Sequence, residues 1–284
     1  MSYTTTTHRE TYPALTAQRL PPNRTVLITG AGSGIGRATA LSHARLGAAS
    51  LILLGRRADT LAETASQIKA AHPSVDVAVH AVDILSLPSL TEIFSSRKID
   101  TVIHCAGALL PLRPVADQDQ AELWAVFETN ARGALNVALA YAKSIPEEGG
   151  KGVILGLNSA GVFMPFKGGL PGMGGYAAAK LAAVKLLDSV AADTCAGGKR
   201  DLRVTHVHPG LLKTDMAERF EEIGISFPYD DMTLPADFLV WAGSEEADFL
   251  ADRFVHASWD VEELKAKREK IQGGSDLTIG LLGV

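Results

Sequence analysis

The sequence predicts an α/β protein: a doubly wound, Rossmann-type domain of about seven parallel strands with helices on both faces. Three observations predict it. Short apolar, often β-branched runs alternate with longer helix-like segments, the rhythm of βαβ units. Several of those runs are nearly continuous in Val, Ile and Leu, as parallel strands buried on both faces require. The first run ends in a glycine-rich turn that opens a helix, the place where such sheets hold phosphate groups.

Residues 1–21 are expected to form a polar leader, loosely packed or disordered in its first part and closed by Pro21-Pro22. The first strand is "TVLITG" (25–30), followed by a helix over 34–46 with Ile35, Ala38, Leu41 and Leu46 on one face. "SLILLG" (50–55) is the second strand and leads into a helix over 59–71. "DVAVHAV" (76–82), a helix over 87–95 and "TVIHCAG" (101–107) continue the alternation. A long helical pattern over 119–143 precedes the fifth strand, "GVILGLN" (152–158). A helix over 176–194 and the strands "RVTHVHP" (203–209) and "RFVHAS" (253–258) complete the sheet, joined by right-handed crossovers. No boundary, repeat or linker interrupts 22–284, which reads as one domain. "DVEELKAKREKI" (260–271) opens a C-terminal extension, 260–284, as a solvated charged helix with Glu262/Lys265 and Glu263/Lys267 pairs.

The chain of 284 residues is 46 % apolar and 21 % charged, ordinary for a globular protein with a sizeable core. A formal charge of −5 gives no basic footprint for nucleic acid. Two cysteines, Cys105 and Cys195, make neither a disulfide framework nor a zinc site and point to a reducing, cytoplasmic setting. No apolar run approaches the ~20 residues of a membrane span. His206 and His208 alternate on a strand, but no third ligand accompanies them, so no metal is expected.

The turn "TGAGSGIG" (29–36) has the spacing G-x-x-x-G-x-G through Gly30, Gly34 and Gly36, with Gly32 as an extra. Glycines there permit a tight turn and bring helix amides close to a pyrophosphate. Further along stand "HCAG" (104–107), "FETNARGALNV" (127–137), "NSAG" (158–161), "YAAAK" (176–180) and "HPGLLKTDM" (208–216). In this order, across 24–216, the motifs resemble the single-domain branch of the short-chain dehydrogenase/reductases. The C-terminal extension resembles the fungal-type members.

Tyr176 and Lys180 stand at i and i+4, on one face of a helix. A free phenol titrates near ~10, and a nearby ammonium favours its ionised form. The resemblance implies that Tyr176 exchanges a proton with the substrate oxygen while Lys180 lowers its pKa and binds the nicotinamide ribose. It makes Ser159 a donor to the carbonyl oxygen and Asn130 the support of a water linked to Lys180. It places the cofactor against Gly30, Gly32, Ser33, Gly34, Ile35 and Gly36, against Ala106 and Gly107, and against Pro209, Gly210 and Thr214. Asp83 corresponds to an adenine-contacting aspartate, or is a plain turn residue at a strand end. His104 replaces the first Asn of the family quartet and is expected to bond neighbouring backbone without a catalytic role.

After the second strand, Gly55 stands where NAD-selecting sites carry an acid, and Arg56 and Arg57 follow. Arginine suits a 2′-phosphate, so NADP(H) is favoured over NAD(H). Tyr176 stands 17 positions after Ser159, farther than in compact members, and the excess falls in the glycine-rich loop 163–175. The segment 215–250, with Met216, Phe220, Ile223, Ile225, Phe227, Tyr229 and Met232, is expected to form an apolar substrate lid, or to pack on the domain instead. The expected substrate is a hydrophobic or aromatic ketone or secondary alcohol, and the long helices offer surfaces for a homodimer or tetramer. An epimerase or dehydratase with tightly held cofactor, and a non-enzymatic NADP(H) sensor, are the rival readings.

Overall fold

The computed structural model of the protein describes residues 2–164 and 172–280. In chain order its helices and strands are α1 (Pro13–Thr16), β1 (Thr25–Thr29), α2 (Gly34–Arg45), β2 (Ser50–Gly55), α3 (Ala58–Ala71), β3 (Asp76–Ala81), α4 (Leu87–Ser96) and β4 (Thr101–His104). They continue as α5 (Gln120–Phe127), α6 (Gly133–Ser144), β5 (Lys151–Leu157), α7 (Gly174–Cys195), β6 (Asp201–His208) and α8 (Asp215–Glu221). The last are α9 (Thr233–Ala242), β7 (Arg253–His256), α10 (Val261–Ala266) and α11 (Arg268–Gly273).

The strands form one parallel sheet in the order β3-β2-β1-β4-β5-β6-β7. The order reverses between β1 and β4, so a crevice opens beyond their carboxyl ends. The continuous apolar runs are explained by the two cores. Val26, Ile28, Leu51, Leu53 and Ile103 face one layer, with Phe238 and Trp241 of α9. Their neighbours Leu27, Ile52, Leu54 and Val102 face the other, with Phe94 of α4, Tyr141 of α6 and Leu187 of α7.

Four expectations are corrected. On α2 the buried residues are Gly36, Thr39, Ala40, Ser42, His43 and Ala44; of the predicted positions Leu46 is buried, and Ile35 and Leu41 are half-buried against the same core. Small residues let α2 lie close between the sheet and α9, so bulk is a poor guide to its inner face. The long pattern over 119–143 is not one regular α-helix. A π-helical stretch, Glu128–Arg132, separates α5 from α6 and carries Asn130.

The leader is not loose. Tyr3 donates to Asp276 at 2.7 Å, His8 Nε2 lies 2.9 Å from Asp260, Thr7 bridges Trp259, and Leu15 is fully buried. Its order comes from partners some 252 residues away in the sequence, invisible to local periodicity. The charged tail is likewise not a solvated helix. It breaks at Lys267 into α10 and α11, and Val261, Leu264 and Ile271 are buried in the core. The Glu262–Lys265 pair forms at 2.7 Å, but Glu263 takes the Thr5 and Thr6 amides at 2.7 and 2.8 Å instead of Lys267. Two backbone donors with no strand partner outcompete an exposed ion pair worth under about 1 kcal/mol.

Burial holds four histidines neutral: His43 and His208 are pushed down to about 4, His104 and His256 to about 3. The unfolded chain binds these protons near ~6.5, so below that pH it takes up more protons than the folded form and stability falls with acid. Urea unfolding at pH 7, 6 and 5 should show that decline. His104→Asn should flatten the slope, and an unchanged slope would count against a neutral His104.

Candidate active site

The turn after β1 is built for close approach. Gly30 has φ +69°, and a Cβ there would lie 3.0 Å from the Ala106 amide nitrogen. A Cβ on Gly36 would lie 2.1 Å from the Gly30 carbonyl oxygen, so the first turn of α2 packs directly on the loop. Thr29 Oγ1 accepts the Ala106 amide at 3.1 Å, tying the ends of β1 and β4 together. A cleft of about 320 Å³ results, lined by Gly30, Gly32, Ser33, Gly34, Ile35, Gly36, Arg56, Arg57, Asp83, Ala106, Gly107 and Thr214. Asp83 Oδ1 also accepts the Leu85 amide at 2.9 Å, so its turn role is real beside its place in the cleft. Arg56 and Arg57 are exposed at the rim and make no ion pair among the described residues; Arg57 Nη2 reaches Ser33 Oγ at 3.4 Å.

A second cavity of about 170 Å³ adjoins it and is lined by Ser159, Tyr176, Lys180, Pro209 and Gly210. Ile35, Cys105, Gly107, Thr214 and Met216 line both, so the two spaces meet at the end of β4. Tyr176 and Lys180 are buried on α7, with the ammonium 5.9 Å from the phenol ring centre. Lys180 Nζ donates to the Leu157 carbonyl at 3.0 Å. Burial pushes the lysine down to about 8 and the phenol up to about 12. In this structure the phenol is raised by desolvation. Ser159 Oγ accepts the Gly161 amide at 3.2 Å, which leaves its own hydrogen free to donate.

Asn130 lines neither cavity. It is buried behind them, where Oδ1 accepts the Ala108 amide at 3.2 Å. Its Nδ2 donates to the Ala108 and Val126 carbonyls at 2.8 and 2.9 Å. A Cβ on Gly107 would lie 2.8 Å from Asn130 Oδ1 and 3.4 Å from Lys180 Nζ, so Gly107 alone spaces these two side chains.

His104 bonds a side chain, Thr29 Oγ1 at 3.1 Å, rather than backbone. The same hydroxyl accepts the Ala106 amide, so it joins the ring to the start of the segment after β4. His206 pairs with Asp188 at 2.7 Å, while His208 Nδ1 accepts the Ala160 amide at 3.4 Å beside Ser159. No cluster of three metal-ligating side chains occurs among the described residues. No described helix is long and apolar enough to cross a membrane.

The expected lid divides. Met216, Phe220, Phe227 and Tyr229 line the second cavity, whereas Ile223 is exposed. Residues 233–242 form α9, buried in the core from Leu234 to Ala242, so the lid ends near Asp230 and not at 250. The glycine-rich loop falls partly outside the described residues, at 165–171; Met173 at its end lines the cavity. Sequence reading missed Leu109, Leu212, Met173, His208 and Cys105 as lining residues. Cys105 and His208 had a signal, since they stand inside the "HCAG" and "HPG" motifs; the apolar residues had none.

A family model described as short chain dehydrogenase matches residues 24–223. The chain belongs to the short-chain dehydrogenase/reductases. This short-chain dehydrogenase is 32 % identical to the short chain dehydrogenase mpl6 of Monascus purpureus, over 97 % of this chain and 95 % of that one. It is 32 % identical to a short chain dehydrogenase/reductase of Claviceps purpurea, over 91 % of this chain and 86 % of that one. Among solved structures, the citronellol catabolism dehydrogenase AtuB of Pseudomonas aeruginosa has a TM-score of 0.68 at 26 % identity, covering 88 % of this chain and 100 % of that one. As a member of the family, this short-chain dehydrogenase is an NAD(P)-dependent oxidoreductase acting on alcohol or carbonyl groups of small molecules. Its glycine turn, with no room for a Cβ at Gly36, and the open cleft before it fit a nicotinamide dinucleotide.

The buried ammonium is a cost to the fold. Between about 8, its folded value, and 10.5, the ordinary value for lysine, the unfolded chain binds more protons, so stability rises with pH across that window. A displacement of this size corresponds to about 3 kcal/mol before the lost bond to Leu157 is counted. Lys180→Met should therefore be more stable than wild type at pH 7, and the difference should shrink towards pH 10. Urea unfolding at both pH values tests this; equal pH slopes in the two proteins would refute it.

Proposed function

We propose that the protein is an NADP(H)-preferring reductase of hydrophobic or aromatic ketones, or in reverse an oxidant of the matching secondary alcohols. One observation carries the reading: Ser159 and Tyr176 converge on a largely apolar cavity that opens onto a cleft rimmed by the exposed Arg56 and Arg57. When bound, the cofactor supplies the hydride. Gly30, Gly34 and Gly36 admit its pyrophosphate to the N-terminus of α2, and Arg56 and Arg57 select the 2′-phosphate. Thr214, Pro209 and Gly210 border the nicotinamide end.

Tyr176, which keeps its proton at neutral pH, is the acid that protonates the carbonyl oxygen as charge builds on it. Ser159 donates a second hydrogen bond to that oxygen. Lys180 offers a cation that favours the phenolate left behind, and Asn130, fixed by three hydrogen bonds, anchors the relay that restores the proton. Met216, Phe220, Phe227 and Tyr229 hold the apolar part of the substrate and exclude water. The free cysteines Cys105 and Cys195 fit a reducing, cytoplasmic setting. The exposed Trp124 on α5 fits a homodimer built on the long helices.

NADPH and NADH consumption against a panel of carbonyl compounds tests this reading. Tyr176→Phe should lower kcat by on the order of 10³-fold, within the range for removal of a general acid. Arg57→Ala should raise the KM for NADPH about ten-fold and leave that for NADH unchanged. Preference for NADH in the wild type would refute the cofactor assignment. Binding of NADPH without turnover would favour a sensor.

A further inference from the structure

The leader reaches the wall of the cavity that holds Tyr176. Arg9 Nε donates to Asp230 Oδ1 at 3.0 Å, and its Nη2 donates to the carbonyls of Pro228 and Tyr229, the latter at 2.9 Å. The backbone carbonyl of Arg9 accepts the Asp231 amide at 2.7 Å. One leader residue thus grips the whole run 228–231, where the lid returns to the core.

The other oxygen of Asp230 is turned to the Gly210–Leu211 segment. Oδ2 accepts the Leu211 amide at 3.1 Å, and the Asp230 amide donates to the Leu211 carbonyl at 2.7 Å. Gly210, at φ +99°, has no room for a side chain, since its Cβ would lie 2.6 Å from Asp230 Oδ2. Asp230 therefore clamps the Pro209–Leu212 segment to the end of the lid, and both pieces line the cavity. With one oxygen on Arg9 and the other on Leu211, its rotamer is fixed from both sides.

Arg9 is itself presented from a tethered backbone. His8 contacts Asp260 at 2.9 Å, and Thr11 donates at 2.7 Å to Asp237, a fully buried carboxylate. Little conformational freedom is left to lose when the guanidinium engages.

We propose that Arg9 is a positioning residue for the substrate pocket: acting through Asp230, it sets the spacing between the Gly210–Leu212 wall and the lid aromatics Phe227 and Tyr229. The inference rests on reading that cavity as the substrate pocket. Arg9 lines neither cavity, so its effect falls on substrate fit and leaves hydride and proton transfer alone. An exposed ion pair contributes little to global stability, so the same change should leave the fold intact.

Two readouts on Arg9→Ala and Arg9→Lys test the proposal: hydrogen exchange, and steady-state kinetics with NADPH and the aromatic ketone 1-tetralone. In Arg9→Ala the amides of Leu211, Asp230 and Asp231 should exchange on the order of ten-fold faster, with the sheet unchanged. The KM for 1-tetralone should rise about ten-fold, while kcat and the KM for NADPH stay within about two-fold. Arg9→Lys, which lacks the planar fork, should recover only part of this. Unchanged exchange at Leu211 and Asp230 would overturn the proposal, as would equal losses for ketone and NADPH. If the wild type does not turn over 1-tetralone, exchange alone decides the role of Arg9, and the reductase reading falls or stands on the carbonyl panel.

Discussion

The site depends on one close approach, where the glycine turn after β1 crosses the end of β4 with no space for a single extra carbon. Gly30 meets the Ala106 amide and Gly36 meets Gly30, so the start of α2 is pinned to the point where the strand order reverses. The Thr29 hydroxyl locks that junction by serving the Ala106 amide and the His104 ring together. Once these three segments are fixed, the cleft on one side and the cavity on the other are two halves of the same opening. A methyl group at Gly36 would part α2 from the loop and blur both halves.

Burial then sets the electrostatics. The interior behind the junction keeps His104 neutral, holds the proton on Tyr176 and weakens the charge on Lys180. These are consequences of one desolvated environment acting on groups of opposite sign. A protonated phenol is the useful state for reducing a carbonyl, so burial by itself favours that direction of proton transfer. The lysine bears the opposite strain, relieved in part by its bond to the Leu157 carbonyl. Keeping a cation in that desolvated position costs the fold stability.

Much of this was legible in the sequence, and what was missed has physical causes. All seven strands fall within a few residues of their expected places; for the central β1, β2 and β4, burial on both faces forces continuous apolar runs. The glycine turn and the Tyr176–Lys180 pair were legible because their spacing is local. The inner face of α2 was not, since close packing selects small residues and periodicity counts large ones. The π-helical stretch at Asn130 was hidden because helical spacing runs through it without a break; the backbone bond from the Gly133 amide to the Glu128 carbonyl, five residues back, reveals it. Helix α9 passed for a lid because an apolar segment does not say which surface it covers.

The termini pose a different problem, since their contacts join positions that no local pattern relates. The family model stops at residue 223 and begins at 24, so it omits both partners of the contact between leader and tail. The Monascus relative aligns over 97 % of the chain, and therefore has the length to build such a contact. Beside the apolar packing of Tyr3, Tyr12 and Leu15, the leader makes directional polar bonds: Tyr3 with Asp276, Thr5 and Thr6 with Glu263 and His8 with Asp260 in the tail, and Arg9 with Asp230 at the lid. An apolar clasp would bury more area, but it would tolerate sliding, because dispersion contacts have little directional preference. Hydrogen bonds with defined partners fix register at small cost in stability. Register is what a pocket wall needs when its two halves, Pro209–Leu212 and the lid aromatics, leave the sheet at different points of the chain. A leader so attached works as part of the substrate side of the enzyme, although it lies outside the sheet and touches none of the reacting groups.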